Sequence, residues 1–477
     1  MNQESVNMST HPYRTIWTLS WPQLIMMVFH LLIGLVDVWV AGRINKDVQA
    51  SMGMISQSLV FFLIVGMAVA NGSVAAISQS IGAGLNLRAK RYVGLSVQLG
   101  IVLGAIILLI GYPIRNSILY VLQVPPELDH IMRYFIRVFL FLLPSYYMLI
   151  VSNAIFRAHK RVMLPLYCMI IVTTTNAIGD LGFGLGMWGL PNFGYQGLAW
   201  STFFSILAGT IFDIIALFKT GMFSFKRLPP FKWVKKAGPY LIKVAWPSGL
   251  MQIVWHSGYM VLYSITATLP NDNITALAGM AAGIRIESIL FLPAFAFSFT
   301  STILIGHYLG EGRPDEAKKF GLRILGIAIV SLSLLSLGMW QIVEPVTSLI
   351  APDSLVRAEA VNYLFFNMIA IPFTVTSMIL AGTFNGAGAT VYNLIIFSFT
   401  IWALRLPLAY VLGHEIMNSP TGIWIAMLAS QIVQSSTMFY AFLTRNWQSY
   451  SMMNGKRRKI DAERIQKDIS KLSGNIR

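Results

Sequence analysis

The sequence predicts an all-α, polytopic membrane protein with twelve transmembrane helices in two pseudo-symmetric six-helix bundles. Three observations carry this. The 477 residues are 56% hydrophobic and only 11% charged, where a soluble globular chain has roughly 25% charged residues. Apolar runs long enough to cross a bilayer, about 20 residues each, recur along the whole chain, and the mean hydropathy is +0.65. The chain also repeats itself at a separation of 225–228 residues.

Composition also narrows the function. A net charge of +16 would suggest nucleic acid if the Lys and Arg sat on a soluble domain. They sit in short loops and a tail instead, the distribution that controls membrane topology, so no nucleic-acid partner is expected. The single cysteine, Cys168, has no internal disulfide partner and reads as a small packed side chain. The first apolar run is too long for a signal-peptide core and no small-residue cleavage site follows it, so it reads as a retained helix.

Taken in order, the spans are expected near 16–41, 52–80, 92–112, 131–155, 162–186, 197–218, 240–268, 276–306, 321–341, 361–385, 390–412 and 421–444. The first, within IWTLSWPQLIMMVFHLLIGLVDVWVAG (16–42), holds Asp37 between two valines. A charge in the hydrocarbon core costs roughly 2.5–3.5 kcal/mol on insertion scales, so Asp37 is the leading functional candidate. The second span ends in IGAG (81–84) and the eighth in LGEG (309–312). These glycines resemble phosphate cradles, but lack the Gly-Lys-Ser/Thr ending and a preceding strand; helix termination and a tight turn explain them.

Loop charge orients the chain. With the N-terminus inside, the cytoplasmic loops hold Arg88, Lys90, Arg91, Arg157, Lys160 and Arg161. The connection after span six adds Lys219, Lys226, Arg227, Lys232, Lys235, Lys236 and Lys243 with no acid, while 187–196, 269–275 and 413–420 contain no Lys or Arg. The positive-inside rule then places both termini in the cytoplasm. The tail around Lys456, Arg457, Arg458 and Lys459 is expected to be a solvated helix or an anionic-lipid contact.

The repeat defines the domains. Ser20-Trp21-Pro22 returns as Ala245-Trp246-Pro247, IGAGLNLRAKR (81–91) as LGEGRPDEAKK (309–319), Pro144 as Pro372, IFRA (155–158) as TFNG (383–386), and Gly197 as Gly422. The divisions are an N-terminal six-helix lobe (1–218), a basic linker (219–239), a C-terminal six-helix lobe (240–444) and a basic tail (445–477). Six spans per half give both halves one orientation, a parallel repeat, and transporters bind substrate between such halves.

The candidate site follows from depth. Asp180 lies six residues before the outer end of span five, Asp37 five before Gly42, and Thr202 five residues into span six. At about 1.5 Å per residue these share one level. Asn176 is one turn from Asp180 on the same face. Two carboxylates, an amide and a hydroxyl at one depth suit a proton or Na⁺, since hard cations take oxygen ligands. Asn176 or Thr202 alone would be an ordinary packing residue. His30 reads as a packed histidine, and Asp213 as one partner of a snorkelling ion pair with Lys219. In the second lobe Arg285, Glu287 and Arg405 fall mid-span. Arg405 occupies about the repeat position of Asp180, and a Glu287–Arg405 pair would neutralise two costly charges. Spans seven and ten carry no acid. If the 24 Met and the many aromatic residues line a cleft, they suit amphipathic organic cations.

The Trp21-Pro22 opening, the Val36-Asp37 to Gly42 segment, ISQSIGAG (77–84) and its echo IGHYLGEGRPDEAKK (305–319) resemble the multidrug and toxic compound extrusion (MATE) family. That family belongs to the multidrug, oligosaccharidyl-lipid and polysaccharide flippase superfamily. The similarity covers roughly 15–445. It implies a V-shaped pair of bundles and a secondary antiporter, not an enzyme. Inward H⁺ or Na⁺ movement, with no further cofactor, would drive export of organic, often cationic drugs. It implies a multi-pass protein of the cytoplasmic (inner) membrane, acting as a monomer, with a small organic substrate and membrane lipids as partners. The family's first-lobe cation site maps onto Asp37, Asn176, Asp180 and Thr202, with Asn153 a polar neighbour near the inner end of span four. A branch of the family binds Na⁺ through acids in spans seven and ten; with neither acid expected here, coupling through the first lobe is favoured.

Three rivals stand beside this reading. A lipid-linked oligosaccharide or polysaccharide flippase of the same superfamily would need several cleft-facing cations, and only Arg285 and Arg405 qualify. An intramembrane enzyme would need His/Glu metal spacing or a nucleophile with its base, and neither is present. A passive channel is less suited to a two-fold repeat with its acids in one half.

Overall fold

The computed structural model describes residues 11–225 and 228–453. Among them, twelve long helices correspond one for one to the expected spans. In the first lobe they are α1 (Pro12–Ile44), α2 (Lys46–Gly82), α3 (Asn86–Val121), α4 (Asp129–Ala158), α5 (Met163–Gly184) and α6 (Tyr195–Lys219). In the second they are α7 (Phe231–Ala267), α8 (Asn273–Gly310), α9 (Pro314–Gln341), α10 (Ser354–Ala387), α11 (Thr390–Ile416) and α12 (Pro420–Thr444). Ten of the twelve are long and apolar enough to cross a membrane. The other two, α7 and α12, are diluted by Gln252, His256 and Ser257 and by Gln431, Gln434 and Ser435.

The helices outrun the apolar stretches that announced them. Helix α2 has 37 residues, about 55 Å at 1.5 Å per residue, well beyond a hydrocarbon core of about 30 Å. Once a spanning segment is helical, its polar flanks continue the turn until a cap stops them. Asn45 does so for α2, accepting from the Val48 amide at 2.7 Å, and Asp353 caps α10. This extension corrects one expectation: α10 begins early enough to include an acid, Glu359, which accepts a hydrogen bond from Trp424 Nε1 at 2.6 Å. The basic tail residues Lys456, Arg457, Arg458 and Lys459, and Lys226 and Arg227 of the linker, lie outside the described residues.

The two lobes meet through one reciprocal contact. Gly82 of α2 abuts the His307 carbonyl of α8, and Gly310 of α8 abuts the Gln79 carbonyl of α2. Each pair is the other displaced by 228 residues. A Cβ at either glycine would overlap that carbonyl. The side chains repeat the symmetry: Gln79 Nε2 donates to Gly386 O at 2.8 Å, and His307 Nε2 lies 2.9 Å from Ala158 O. These contacts lie at the end of the molecule that carries the connections 83–85, 159–162, 220–230 and 311–313, termed here the basic end. Ser20 and Gln23 with Thr300, and Asn71 with Ser248, extend the seam toward the middle. It ends near the Phe61–His256 ring contact, 5.8 Å between centroids. Beyond that level Leu35, Trp39 and Met260 are exposed. The lobes are therefore joined at the basic end and diverge toward the other.

Candidate functional site

The first-lobe site is built where α1, α5 and α6 converge, on the side away from the basic end. Two close approaches create it. Gly179 of α5 sits so near α6 that a Cβ would lie 2.6 Å from Ser201 Oγ, and Gly197 of α6 abuts the Phe183 carbonyl. From Asp180 the last five residues of α5 take a π-helical turn, a wider winding often found at functional sites.

At this junction Asp37 of α1 lies against Asp180 and Asn176 of α5. Asp180 also lies against Ser201 of α6. All four are buried, Asn176 and Asp180 completely. Yet Asp37 Oδ1, both Asp180 oxygens and both polar atoms of the Asn176 amide find no partner at hydrogen-bond geometry. Native structures leave few buried polar atoms unpaired. Two carboxylates side by side away from water repel strongly unless a positive charge offsets them. The constellation is an oxygen-rich cradle suited to a proton or a small hard cation.

The structure thus brings together Asp37, Asn176 and Asp180, as their spacing predicted. It places the other two expected members elsewhere. Thr202 and Ser201 both donate to carbonyls of their own helix, Leu198 O at 3.2 Å and Gly197 O at 2.8 Å, but it is the buried Ser201 that lies beside Asp180, while Thr202 is half-buried. One residue of helix is about 100°, so depth was right and azimuth was not. Asn153 is buried in α4, five residues from that helix's basic end, with its Oδ1 unpartnered. Tyr146 of α4, which sequence reasoning missed, is half-buried and within electrostatic reach of Asp37. Nothing local marks it among the aromatic residues of α4.

Two further expectations are corrected. His30 is exposed rather than packed. Asp213 is fully buried, lies against Cys168, and makes no ion pair with the exposed Lys219. Six residues of helix turn Lys219 to a different face.

The second lobe carries a different cluster. Tyr363 Oη donates to Glu287 Oε2 at 2.7 Å, and Arg405 Nε donates to Ser430 Oγ at 2.8 Å. Tyr259 lies against Arg405 and near Glu287. Glu287 and Arg405 are buried and electrostatically coupled, but they do not form the direct ion pair expected of them. Arg285 is exposed, two residues from Glu287. Packing also corrects the register of the repeat. Gly422 abuts the Leu412 carbonyl as Gly197 abuts that of Phe183. Aligning these contacts makes Arg405 the counterpart of Asn176, and Ala409 that of Asp180. The sequence alignment had placed Arg405 one turn away because the connection before α12 is shorter than that before α6.

A twelve-helix protein of two parallel six-helix lobes, joined at one end and carrying unpaired acids within one lobe, has the architecture of a membrane transporter. The MatE family model matches residues 22–181 and 247–411, one match in each lobe. The chain belongs to the MatE family, whose members are transporters and not enzymes.

Relatives align over nearly their full length. A probable multidrug resistance protein NorM of Thermotoga maritima is 24% identical over 443 residues, covering 91% of this chain and 92% of its own. The multidrug resistance protein PmpM of Pseudomonas aeruginosa is 23% identical, covering 94% and 95%. Among solved structures, an outward-facing multidrug resistance MATE family transporter of the MOP superfamily superposes with a TM-score of 0.85 at 20% identity, covering 92% of this chain and 96% of that one. A mutant of the Vibrio cholerae MATE transporter VcmN gives 0.83 at 20% identity, covering 91% and 98%. These structures establish the twelve-helix fold.

Proposed function

We propose that this transporter is a secondary antiporter of the cytoplasmic membrane, with its basic end and both termini in the cytoplasm. It exports organic, cationic and amphipathic drugs or metabolites in exchange for H⁺ or Na⁺. The observation that carries this reading is the contact between Asp37 and Asp180 with three of their four oxygens buried and unpaired. A cation entering from the external side offsets both charges at once. It thereby draws α1 against α5 and α6, because Asp37 is the one acid of the group on α1.

The rest of the cycle follows from linkage. A ligand shifts a conformational equilibrium only by its differential affinity for the two states. The cation favours the arrangement in which α1 closes on α5, and an organic cation between the lobes favours the alternative, so each displaces the other. The names of the relatives in Thermotoga and Pseudomonas support drugs as substrates. The flippase reading loses its main support, because Arg405 is buried and committed to Ser430. That leaves Arg285 as the one exposed member of the two cations it required.

The test uses efflux of a cationic dye in everted vesicles, with H⁺ and Na⁺ gradients imposed separately. Asp37→Asn and Asp180→Asn are each expected to lower gradient-driven transport by about a hundredfold or more, the scale of losing a charge-assisted contact of about 3 kcal/mol. Normal transport by both variants under either gradient overturns the reading.

A further inference from the structure

The first lobe contains a second buried acid that the coupling site does not use. Asp213 lies on α6, twelve residues beyond Ser201, hence about 18 Å nearer the basic end. It has no exposed surface, and both carboxylate oxygens lack a hydrogen-bond partner. An ionised carboxylate without partner or water is so unfavourable that the group neutralises instead. Among the described residues, the titratable group that a neighbouring helix brings to it is Cys168 of α5, an uncharged thiol; α4 brings none. Lys219, on its own helix, turns away.

Asp213 is not isolated from the coupling site. On α6, Ser201, Ser205, Gly209 and Asp213 recur every fourth residue and form one inclined ridge. On α5, Asp180, Asn176, Val172 and Cys168 do the same. The two rows face each other along their length. Gly179 packs on Ser201 at one end, Gly209 packs on Val172 and Cys168 in the middle, and Asp213 lies against Cys168 at the other. All of these residues are buried. The seam therefore has an acid at each end, an asparagine and two serines that donate to their own helix below the upper one, and an apolar stretch at Val172–Gly209, about 12 Å of helix from Ser205 to Asp213.

We infer that Asp213 is a second proton-binding site of the first lobe, the exit station through which a proton taken up at Asp37 and Asp180 leaves toward the basic end. This rests on the proposed antiport and deepens it. A carboxylic acid beside a thiol can accept a proton and pass it on. It offers Na⁺ no shell of oxygens, so a seam ending at Asp213 selects H⁺ as the coupling ion. The transfer is balanced, because the proton leaving the upper pair restores its charge and neutralises Asp213, which releases it once the basic end opens and water reaches the buried carboxyl.

The test is made on the full-length protein in vesicles, with pH set independently on the two sides. For the wild type, dye flux is expected to depend on pH at the basic-end side, by up to about tenfold per pH unit as for any single titrating site. Asp213→Asn, which keeps the shape of a protonated aspartate, should abolish that dependence while retaining the dependence on the opposite side. Asp213→Glu should restore it. Wild-type flux and an unchanged profile for Asp213→Asn overturn the inference and leave the antiport reading standing, provided Asp37→Asn and Asp180→Asn are inactive. If those two transport normally, the antiport reading itself has failed. Dicyclohexylcarbodiimide, which modifies protonated carboxyls in apolar surroundings, gives a readout that needs no variant to fold. Peptide mapping of the treated wild type should find Asp213 modified, with a yield that falls as pH at the basic end rises. An unmodified Asp213, or a yield indifferent to that pH, overturns the inference.

Discussion

The two lobes share one architecture and treat buried charge in opposite ways. In the first, Asp37, Asn176 and Asp180 meet with five of their six polar side-chain atoms buried and unpaired. In the second, the same three positions hold Leu262, Arg405 and Ala409. The guanidinium of Arg405 thus stands at the position of the first-lobe amide, and the second lobe carries its positive charge covalently. Arg405 donates to Ser430, and Ser430 is the repeat counterpart of Ser205 on the first-lobe seam. Glu287, satisfied by Tyr363, balances it from α8. One lobe is left with unpaired acids, and the other sets a buried guanidinium near a buried acid. On the proposed antiport, this asymmetry would make the first lobe the mover and the second the frame.

This contrast can be broken by exchanging stability against function. Arg405→Leu leaves Glu287 buried without its counter-charge and should lower stability by about 3–5 kcal/mol. The double variant Arg405→Leu with Glu287→Leu should recover most of that loss. Asp180→Asn removes a repulsion and should melt no lower than wild type while losing transport. Thermal unfolding in detergent measures all three. If Arg405→Leu melts like wild type, the second-lobe cluster is not a neutralised frame.

A smaller effect is expected at the joint between the lobes. Gly82→Ala and Gly310→Ala each put a methyl group against a backbone carbonyl of the partner helix. Overpacking of this kind costs about 1–3 kcal/mol, and separating the lobes at the basic end relieves it. Spin labels at Lys90 and Lys319 should report a longer distance in both variants, by the same amount if the contact is as symmetric as it looks in the structure. Unchanged distances would mean that the joint is not what holds that end closed.

The smallest effect separates two neighbours in sequence. Ser201→Ala removes a hydroxyl oxygen beside Asp180, whose hydrogen is given to Gly197 O, and should weaken apparent affinity for the coupling ion about fivefold, the scale of one polar contact of about 1 kcal/mol. Thr202→Val should leave it unchanged. The reverse result would return Thr202 to the site and displace Ser201.

Much of this molecule was legible without coordinates. Apolar length and charge fixed twelve membrane helices, and the recurrence of Trp-Pro, Gly-rich turns and helical prolines fixed two equivalent halves, because these signals are local or translational along the chain. Asp37, Asn176 and Asp180 could be grouped because depth is a count of residues along a helix of known rise. What counting could not supply was azimuth and register between helices. The choice of Ser201 over Thr202, the isolation of Asp213 from Lys219, and the alignment of Arg405 with Asn176 all turn on how far each helix is rotated. That rotation is set where Gly179, Gly197, Gly209 and Gly422 allow backbones to touch and where α5 widens into a π turn. Those contacts join residues distant in sequence, so the pattern of any one segment does not contain them.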